Sequence, residues 1–204
     1  MARLIVKCVV LAAFTLGTSL SVAQEVAPDA LLEAATAEVL LLLKQQRVDG
    51  AAPRTRELDA LVQSEIVPLF HFRRMAQIAV GPGWQQATPH QRNALTAEFK
   101  TLLVRTYAAA LGAFGDQSIQ FRPVNVGPEA LEARVQSVVS DREGAALPID
   151  YYMEKTPDGW KVYEIDIDGM MLIENYRGTF AARVRDLGLD GLIRVLSERN
   201  RQSD

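Results

Sequence analysis

The spacing of the apolar residues in this chain changes at Gly115 and returns to its first period near residue 170. Before Gly115 they recur every three to four residues, which is the period of one buried helix stripe. From residue 119 to 167 they alternate with polar residues, which is the period of a strand with one covered face. This order predicts an α+β fold, with helices before and after a single sheet.

Four helices are predicted in the N-terminal half, at about residues 28–46, 55–64, 70–79 and 89–112. Thr88 and Pro89 provide an N-cap and a proline at the first helical position of the longest one. Glycine and proline clusters separate the helices, since neither residue type continues a helix.

Four strands are predicted at about residues 119–124, 131–139, 149–153 and 163–167. Their short connections, one of them a Pro-Asp-Gly turn at 157–159, indicate an antiparallel meander with one face covered by helices. In the last strand the alternation places Tyr163, Ile165 and Ile167 inward and the acids at 164, 166 and 168 in water. Two helices, at about 171–187 and 190–199 with Gly188 between them, end the predicted fold.

The first 23 residues have the three-part pattern of a secretory signal peptide. Arg3 and Lys7 precede an apolar run at residues 8–17, and Ser21-Val22-Ala23 offers the small residues that a signal peptidase requires. The run is shorter than the roughly 20 residues of a membrane-spanning helix. We therefore expect cleavage after Ala23, an exported protein, and one domain over residues 24–204.

The composition of that domain excludes several kinds of binding and chemistry. Cleavage removes two basic residues from a chain whose formal net charge is already −3, and it removes the single cysteine, Cys8. An acidic chain without a block of basic residues is unsuited to nucleic acid. A domain without cysteine forms no disulfide and no thiolate metal site.

Candidate catalytic groups are few. The two histidines, His71 and His90, have no nucleophile in a recognisable motif near them. Glu164, Asp166 and Asp168 followed by Gly169 resemble half of a calcium loop, but position twelve is Asn175 and the segment has strand periodicity. We expect no metal and no cofactor.

One enzymatic alternative follows from the expected shape. A sheet wrapped by helices forms an apolar cone, and ketosteroid isomerases place a carboxylate and a phenol inside such a cone. The chain has tyrosines to supply the phenol, but its strand acids mostly alternate out of phase with the apolar residues. Asp150 is the acid whose direction the alternation leaves least settled, because Tyr152 shares its parity.

Two long blocks carry a resemblance to a known family. The first runs from Ile66 through His71, Trp84 and Gln91 to Tyr107, and the second from Ile149 through Trp160 and Gly169 to Phe180 and on to Leu196. In order and spacing they are similar to the periplasmic phospholipid-binding proteins of the Mla (maintenance of lipid asymmetry) pathway, also called the toluene-tolerance family. His71 departs from the acidic residue common there, and Met170-Met171 departs from a small or β-branched residue followed by serine.

The resemblance implies a periplasmic lipid carrier that is not an enzyme. It implies a sheet-and-helix clamp of the NTF2-like cone type, holding the acyl chains of a glycerophospholipid and leaving the headgroup near solvent. It also implies exchange with an outer-membrane lipoprotein complex and with an inner-membrane ABC transporter that has an MCE-domain subunit. We expect a monomer. A protein that only bridges these complexes without lipid is a further alternative.

The cavity for two acyl chains is expected to be large and apolar. The inward positions of the matched blocks predict its lining residues. These are Phe99, Leu103, Tyr107, Tyr151, Met153, Tyr163, Ile165, Ile167, Met170, Leu172 and Tyr176. Arg177 is a candidate headgroup contact, with an ion pair to Glu174 or Asp168 as its alternative.

Overall fold

The structure is a computed structural model that describes residues 26–48, 59–113, 117–141 and 143–202. Its helices are α1 (Pro28–Val48), α2 (Phe72–Val80), α3 (Gly83–Gln86), α4 (Pro89–Ala113) and α5 (Asn175–Gln202). Between α1 and α2 the chain passes through a π-helical turn, Val62–Ile66, and a 3₁₀ turn, Val67–Leu69. The predicted signal peptide lies outside the described residues. Of the predicted helix at 55–64, residues 55–58 lie outside them, residues 59–61 are helical, and residues 62–64 belong to the π-helical turn.

The sheet has five strands in sequential order, and every neighbouring pair is antiparallel. They are β1 (Ser118–Phe121), β2 (Glu132–Ser140), β3 (Ala146–Thr156), β4 (Gly159–Ile167) and β5 (Met170–Met171). The predicted α+β class and meander are therefore confirmed, with one strand more than the four expected.

The fifth strand comes from a tight turn that the periodicity did not reveal. Asp168 and Gly169 have φ of 52° and 86°, so the chain reverses after β4 and Met171 pairs with Asp166. Placing a helix start at residue 171 was wrong, because α5 begins at Asn175. The predicted interruption at Gly188 is present as a kink, with φ 70° and ψ 178° inside one long element.

A β-bulge changes which residues of β4 face inward. Tyr152 pairs with Glu164 and Met153 pairs with Val162, so Tyr163 is an extra residue without a partner on β3. Val162 points inward with Met153, and Ile165 points inward with Tyr151. Strict alternation across residues 163–167 is therefore wrong at Tyr163.

The main core lies where α2, α4 and α5 pack together. We call this cluster the helical core; its fully buried members include Met75, Ala79, Leu95, Phe99 and Leu192. A smaller cluster on the inner face of the sheet joins Leu32 of α1 to Val135, Met153 and Val162. Together they fix α1 and the helical core on the same face of the sheet.

Candidate functional site

An apolar cavity of about 280 Å³ lies between the inner face of the sheet and the helices that cover it. Its walls come from α1, the segment at residues 62–72, α2, α4, four strands and the turn before α5. No acidic or basic side chain lines it within the described residues. The lining residues are Leu32, Ala35, Thr36, Val39, Leu40, Leu43, Val62, Ile66, Val67, Leu69, Phe70, Phe72, Met75, Leu103, Val104, Tyr107, Ile119, Val139, Ile149, Tyr151, Ile165, Ile167, Leu172 and Ile173.

Helix α1 presents one apolar stripe to this cavity. Its lining positions fall at helical spacing, so they share one face of the helix, while Leu41 on another face is 58% exposed. The N-terminal end of α1 is held because Asp29 accepts a hydrogen bond from the backbone N–H of Val124 at 3.1 Å. The helix therefore covers the cavity as a wall fixed at its first turn.

The floor of the cavity follows from the register of the strands. Ile119 pairs with Val139, Tyr151 with Ile165, and Ile149 with Ile167. Cross-strand partners share one face of a sheet, so these pairs form a continuous apolar surface.

Two phenols line the wall. Burial, more than the neighbouring Tyr176 hydroxyl, raises the pKa of Tyr107 to about 12. Burial also raises the pKa of Tyr151, which lies near Ser137, whose hydroxyl donates to the Ile149 carbonyl at 3.1 Å. Both phenols are therefore neutral at ordinary pH.

Glu164 is buried beside the cavity wall, which contradicts the expectation that it faces water. It is 2% exposed, and its carboxylate accepts backbone N–H bonds from Ile165 at 2.9 Å, Ile173 at 2.7 Å and Glu174 at 3.0 Å. Burial raises its pKa, while the three amides act in the opposite direction. Glu164 thus fixes the turn that brings Leu172 and Ile173 into the wall.

The structure places six of the predicted lining residues in the cavity wall. They are Leu103, Tyr107, Tyr151, Ile165, Ile167 and Leu172.

Five other predicted lining residues lie elsewhere. Phe99 and Tyr176 pack edge-to-face in the helical core, with ring centroids 5.1 Å apart. Met153 is fully buried in the sheet cluster. The bulge turns Tyr163 outward under Arg74, whose guanidinium carbon is 3.5 Å from the ring centroid. Met170 is 49% exposed on the edge strand β5.

Arg177 takes the alternative that the sequence left open. It donates to the Glu174 carboxylate at 2.7 Å and to the Ile78 carbonyl at 3.3 Å, outside the cavity wall. Its cation is thus already engaged by protein groups.

The acids considered for catalysis or calcium do not face the cavity. Asp150 pairs with Arg134 on the outer face of the sheet. Within the described ranges no group of three or more metal-ligating residues could hold an ion. Residues 164–169 form the end of a strand and a hairpin turn, not a loop around a cation.

Much of the cavity wall was not assigned from sequence. The stripe of α1 and the segment at 62–72 supply about half of the lining residues. The apolar periodicity of residues 31–43 was a signal for a buried face, but periodicity does not say whether that face meets side chains or an empty space.

The fold and the cavity define a class: an α+β protein built around a partly open apolar cavity whose described lining residues carry no charge. Residues 33–198 match the family model described as MlaC protein. The chain belongs to the MlaC family.

Two relatives accompany that match. The chain is similar to "Toluene tolerance protein ttg2D" of Pseudomonas putida, at 28% identity over 106 residues, 52% of this chain and 49% of that protein. The chain thus spans about half the length of this curated relative. It is also similar to the phospholipid-binding protein from Ralstonia solanacearum, solved in complex with a phospholipid, with a TM-score of 0.75 and 36% identity over 87% of this chain and 99% of that one.

No helix in the parts of the chain that the structure describes is long and apolar enough to cross a membrane.

Proposed function

We propose that this protein binds a glycerophospholipid by its acyl chains and carries it through the periplasm without a chemical reaction. The observation that supports this most is the cavity wall, whose lining residues include no charged group and whose phenols are neutral because burial raises their pKa. Such a wall favours a ligand that is apolar over most of its surface. Membership of the MlaC family and the likeness to a phospholipid complex support the same proposal.

The energetics explain why a carrier is needed. Each CH₂ removed from water gains about 0.8 kcal/mol. Two acyl chains together hold several tens of these groups, so free lipid in water is disfavoured by on the order of 20 kcal/mol. A protein that covers the chains removes this barrier to movement between two membranes.

The cavity is smaller than such a ligand requires. At about 280 Å³ it falls just below the roughly 300–1,000 Å³ of ordinary small-molecule sites, whereas the sequence predicts a large one. A lipid with two chains is therefore expected to displace the walls as it enters. The walls that can separate are α1 and the segment at 62–72, since the floor is held by the hydrogen-bonded sheet.

The remaining parts of the proposal concern the pathway. We propose export by cleavage after Ala23, a monomeric lipid-binding domain at 24–204, and exchange with an outer-membrane lipoprotein complex and the MCE-domain subunit of an inner-membrane ABC transporter. These steps rest on the family and on the N-terminal sequence pattern.

The decisive experiment measures lipid on the mature protein by native mass spectrometry and by uptake from phosphatidylethanolamine–phosphatidylglycerol vesicles. We expect about one phospholipid per protein. Leu40→Glu should abolish uptake, because Leu40 lines the cavity, whereas Leu41→Glu on the exposed side of α1 should retain it. Circular dichroism of both variants checks that they remain folded.

The alternatives predict other results. A bridging protein would bind its membrane partners and take up no lipid, and that outcome would refute the carrier. A cone enzyme would convert a small ligand, for which the cavity wall offers neutral phenols but, among its lining residues, no carboxylate.

A further inference from the structure

The apolar floor of the cavity continues onto exposed residues at one end of the sheet. Val139 and Ile167 line the cavity, and they pair across the sheet with Leu147 of β3 and Met170 of β5. Cross-strand partners share one face of a sheet, so Leu147 and Met170 lie on the inner face, next to the cavity. Leu147 is 40% exposed and Met170 is 49% exposed, so the floor has an apolar margin that meets water.

Leu147 and Met170 belong to one patch of the surface. The Pro148 carbonyl accepts the backbone N–H of Asp168 at 3.1 Å, so the chain beside Leu147 is bonded to the turn that leads to Met170. A Cβ added at Gly169 in this turn would have no heavy atom within 4 Å, so the space beside it is open. The described residues include six exposed large apolar side chains, and only these two pair across the sheet with residues that line the cavity. We call them the floor margin.

The floor margin is held in place by the sheet. In the turn between β2 and β3, the Asp141 carboxylate accepts the backbone N–H of Glu143 at 3.0 Å and that of Ala145 at 2.9 Å. The strand pairing that follows this turn places Leu147 opposite Val139. These bonds do not involve the helical walls, so a ligand finds this surface already formed.

The proposed ligand has more apolar surface than the cavity holds. The cavity volume of about 280 Å³ is below that of ordinary small-molecule sites, whereas two acyl chains contain several tens of CH₂ groups. Each CH₂ that remains in water weakens binding roughly fourfold. An apolar surface that adjoins the cavity therefore strengthens the binding of a ligand too long for the cavity alone.

We propose that the acyl-chain site extends beyond the cavity onto Leu147 and Met170, which cover the part of a long chain that the cavity does not hold. This inference rests on the proposed lipid-binding function. It assigns a preference for chain length to two residues outside the cavity wall. They contribute to the binding of lipids with long chains and add little to the binding of lipids with short chains.

The experiment compares dioctanoyl and dipalmitoyl phosphatidylcholine on the wild type and on the double variant Leu147→Ser/Met170→Ser. Calorimetry measures the affinity for the short-chain lipid, and equilibrium partition between protein and vesicles measures the affinity for the long-chain lipid. We expect the double variant to bind the dipalmitoyl lipid roughly tenfold less tightly than the wild type, because the lost contacts are equivalent to about two CH₂ groups. Its affinity for the dioctanoyl lipid should stay within roughly twofold of the wild-type value.

The chain supplies a matched control pair. Leu131 and Leu187 are exposed to a similar or greater degree than the floor margin, and neither lines the cavity. Leu131→Ser/Leu187→Ser should therefore keep the wild-type affinity for both lipids. Thermal melts check that both double variants are folded, and Met170→Ser alone, with roughly a threefold loss for the dipalmitoyl lipid, provides the second test if the double variant does not fold.

The outcomes distinguish the two proposals. An unchanged affinity for the dipalmitoyl lipid, an equal loss for both lipids, or the same loss in the control pair would overturn the extension of the site alone. If the wild type binds neither lipid, the proposed function fails and the inference fails with it.

Discussion

Two apolar regions lie side by side on the inner face of this protein, and they are built from the same kinds of residue. In the helical core, Phe99 packs against Tyr176 and Phe180 with ring centroids 5.1 and 5.2 Å apart, and the space is filled. In the cavity, aliphatic side chains of α1 face those of the sheet across an empty volume of about 280 Å³. The difference lies in how closely the elements approach, not in composition.

The two regions differ because different structural elements surround them. The helical core joins α2, α4 and α5, which contact one another directly and interlock large rings. The cavity lies between α1, the 62–72 segment and a sheet whose spacing is fixed by its own hydrogen bonds. Leu103, Met75 and Ile173 belong to both regions, so the filled core forms the rigid back wall of the hollow one.

The largest effect is expected from truncation in the filled region. Phe99→Ala should lower the free energy of unfolding by about 3–5 kcal/mol, because it leaves a hole between two rings that cannot close together. The melting temperature should fall by on the order of 10 °C, measured by calorimetry. A cost below about 1 kcal/mol would mean that this region is also hollow or compliant.

Two substitutions of alanine by methionine, one in each region, should change the free energy of unfolding in different directions. Ala79→Met in the helical core has no space to enter and should destabilise by about 1–3 kcal/mol. Ala35→Met on the cavity face of α1 should instead be neutral or stabilising by about 0.5–2 kcal/mol, because it fills existing space.

Lipid uptake provides the second measurement for the same pair. Ala35→Met should reduce uptake while the protein remains stable, since the methionine occupies volume that the acyl chains need. Equal destabilisation by both substitutions would remove the distinction between a cavity and a core.

The sequence could predict which faces are apolar, but not which face is hollow. The α+β order, the strands and the apolar stripe of α1 all followed from periodicity. The sequence pattern predicts Phe99 and Tyr176 as lining residues because inward aromatic residues serve a core and a ligand site equally well. Only the approach of the helices decides between them.

Local backbone features account for the other differences. The bulge at Tyr163 reverses the direction that alternation predicts, and the Asp168-Gly169 turn converts an expected helix start into β5. Glu164 is buried because three amides of neighbouring chain segments converge on it. The bulge and the burial of Glu164 depend on contacts with other segments of the chain, which a single strand pattern does not contain, whereas Asp-Gly is itself a local hairpin signal.

The smallest predicted effect concerns Glu164, which lies at the border between the two regions. Since burial raises its pKa in the folded protein, the folded state binds this proton more tightly than the unfolded state does. Stability from this proton is present at low pH and is lost as pH rises from the ordinary glutamate value through the raised one. Glu164→Gln cannot titrate, so the difference in free energy of unfolding, wild type minus variant, should fall between pH 4 and 7. Urea unfolding at each pH measures this difference.

A difference that rises between pH 4 and 7 would mean that the three backbone N–H bonds stabilise the Glu164 carboxylate by more than burial destabilises it. Glu164 would then hold the turn at Leu172 and Ile173 as a stabilised anion. The border between core and cavity would be most stable at neutral pH.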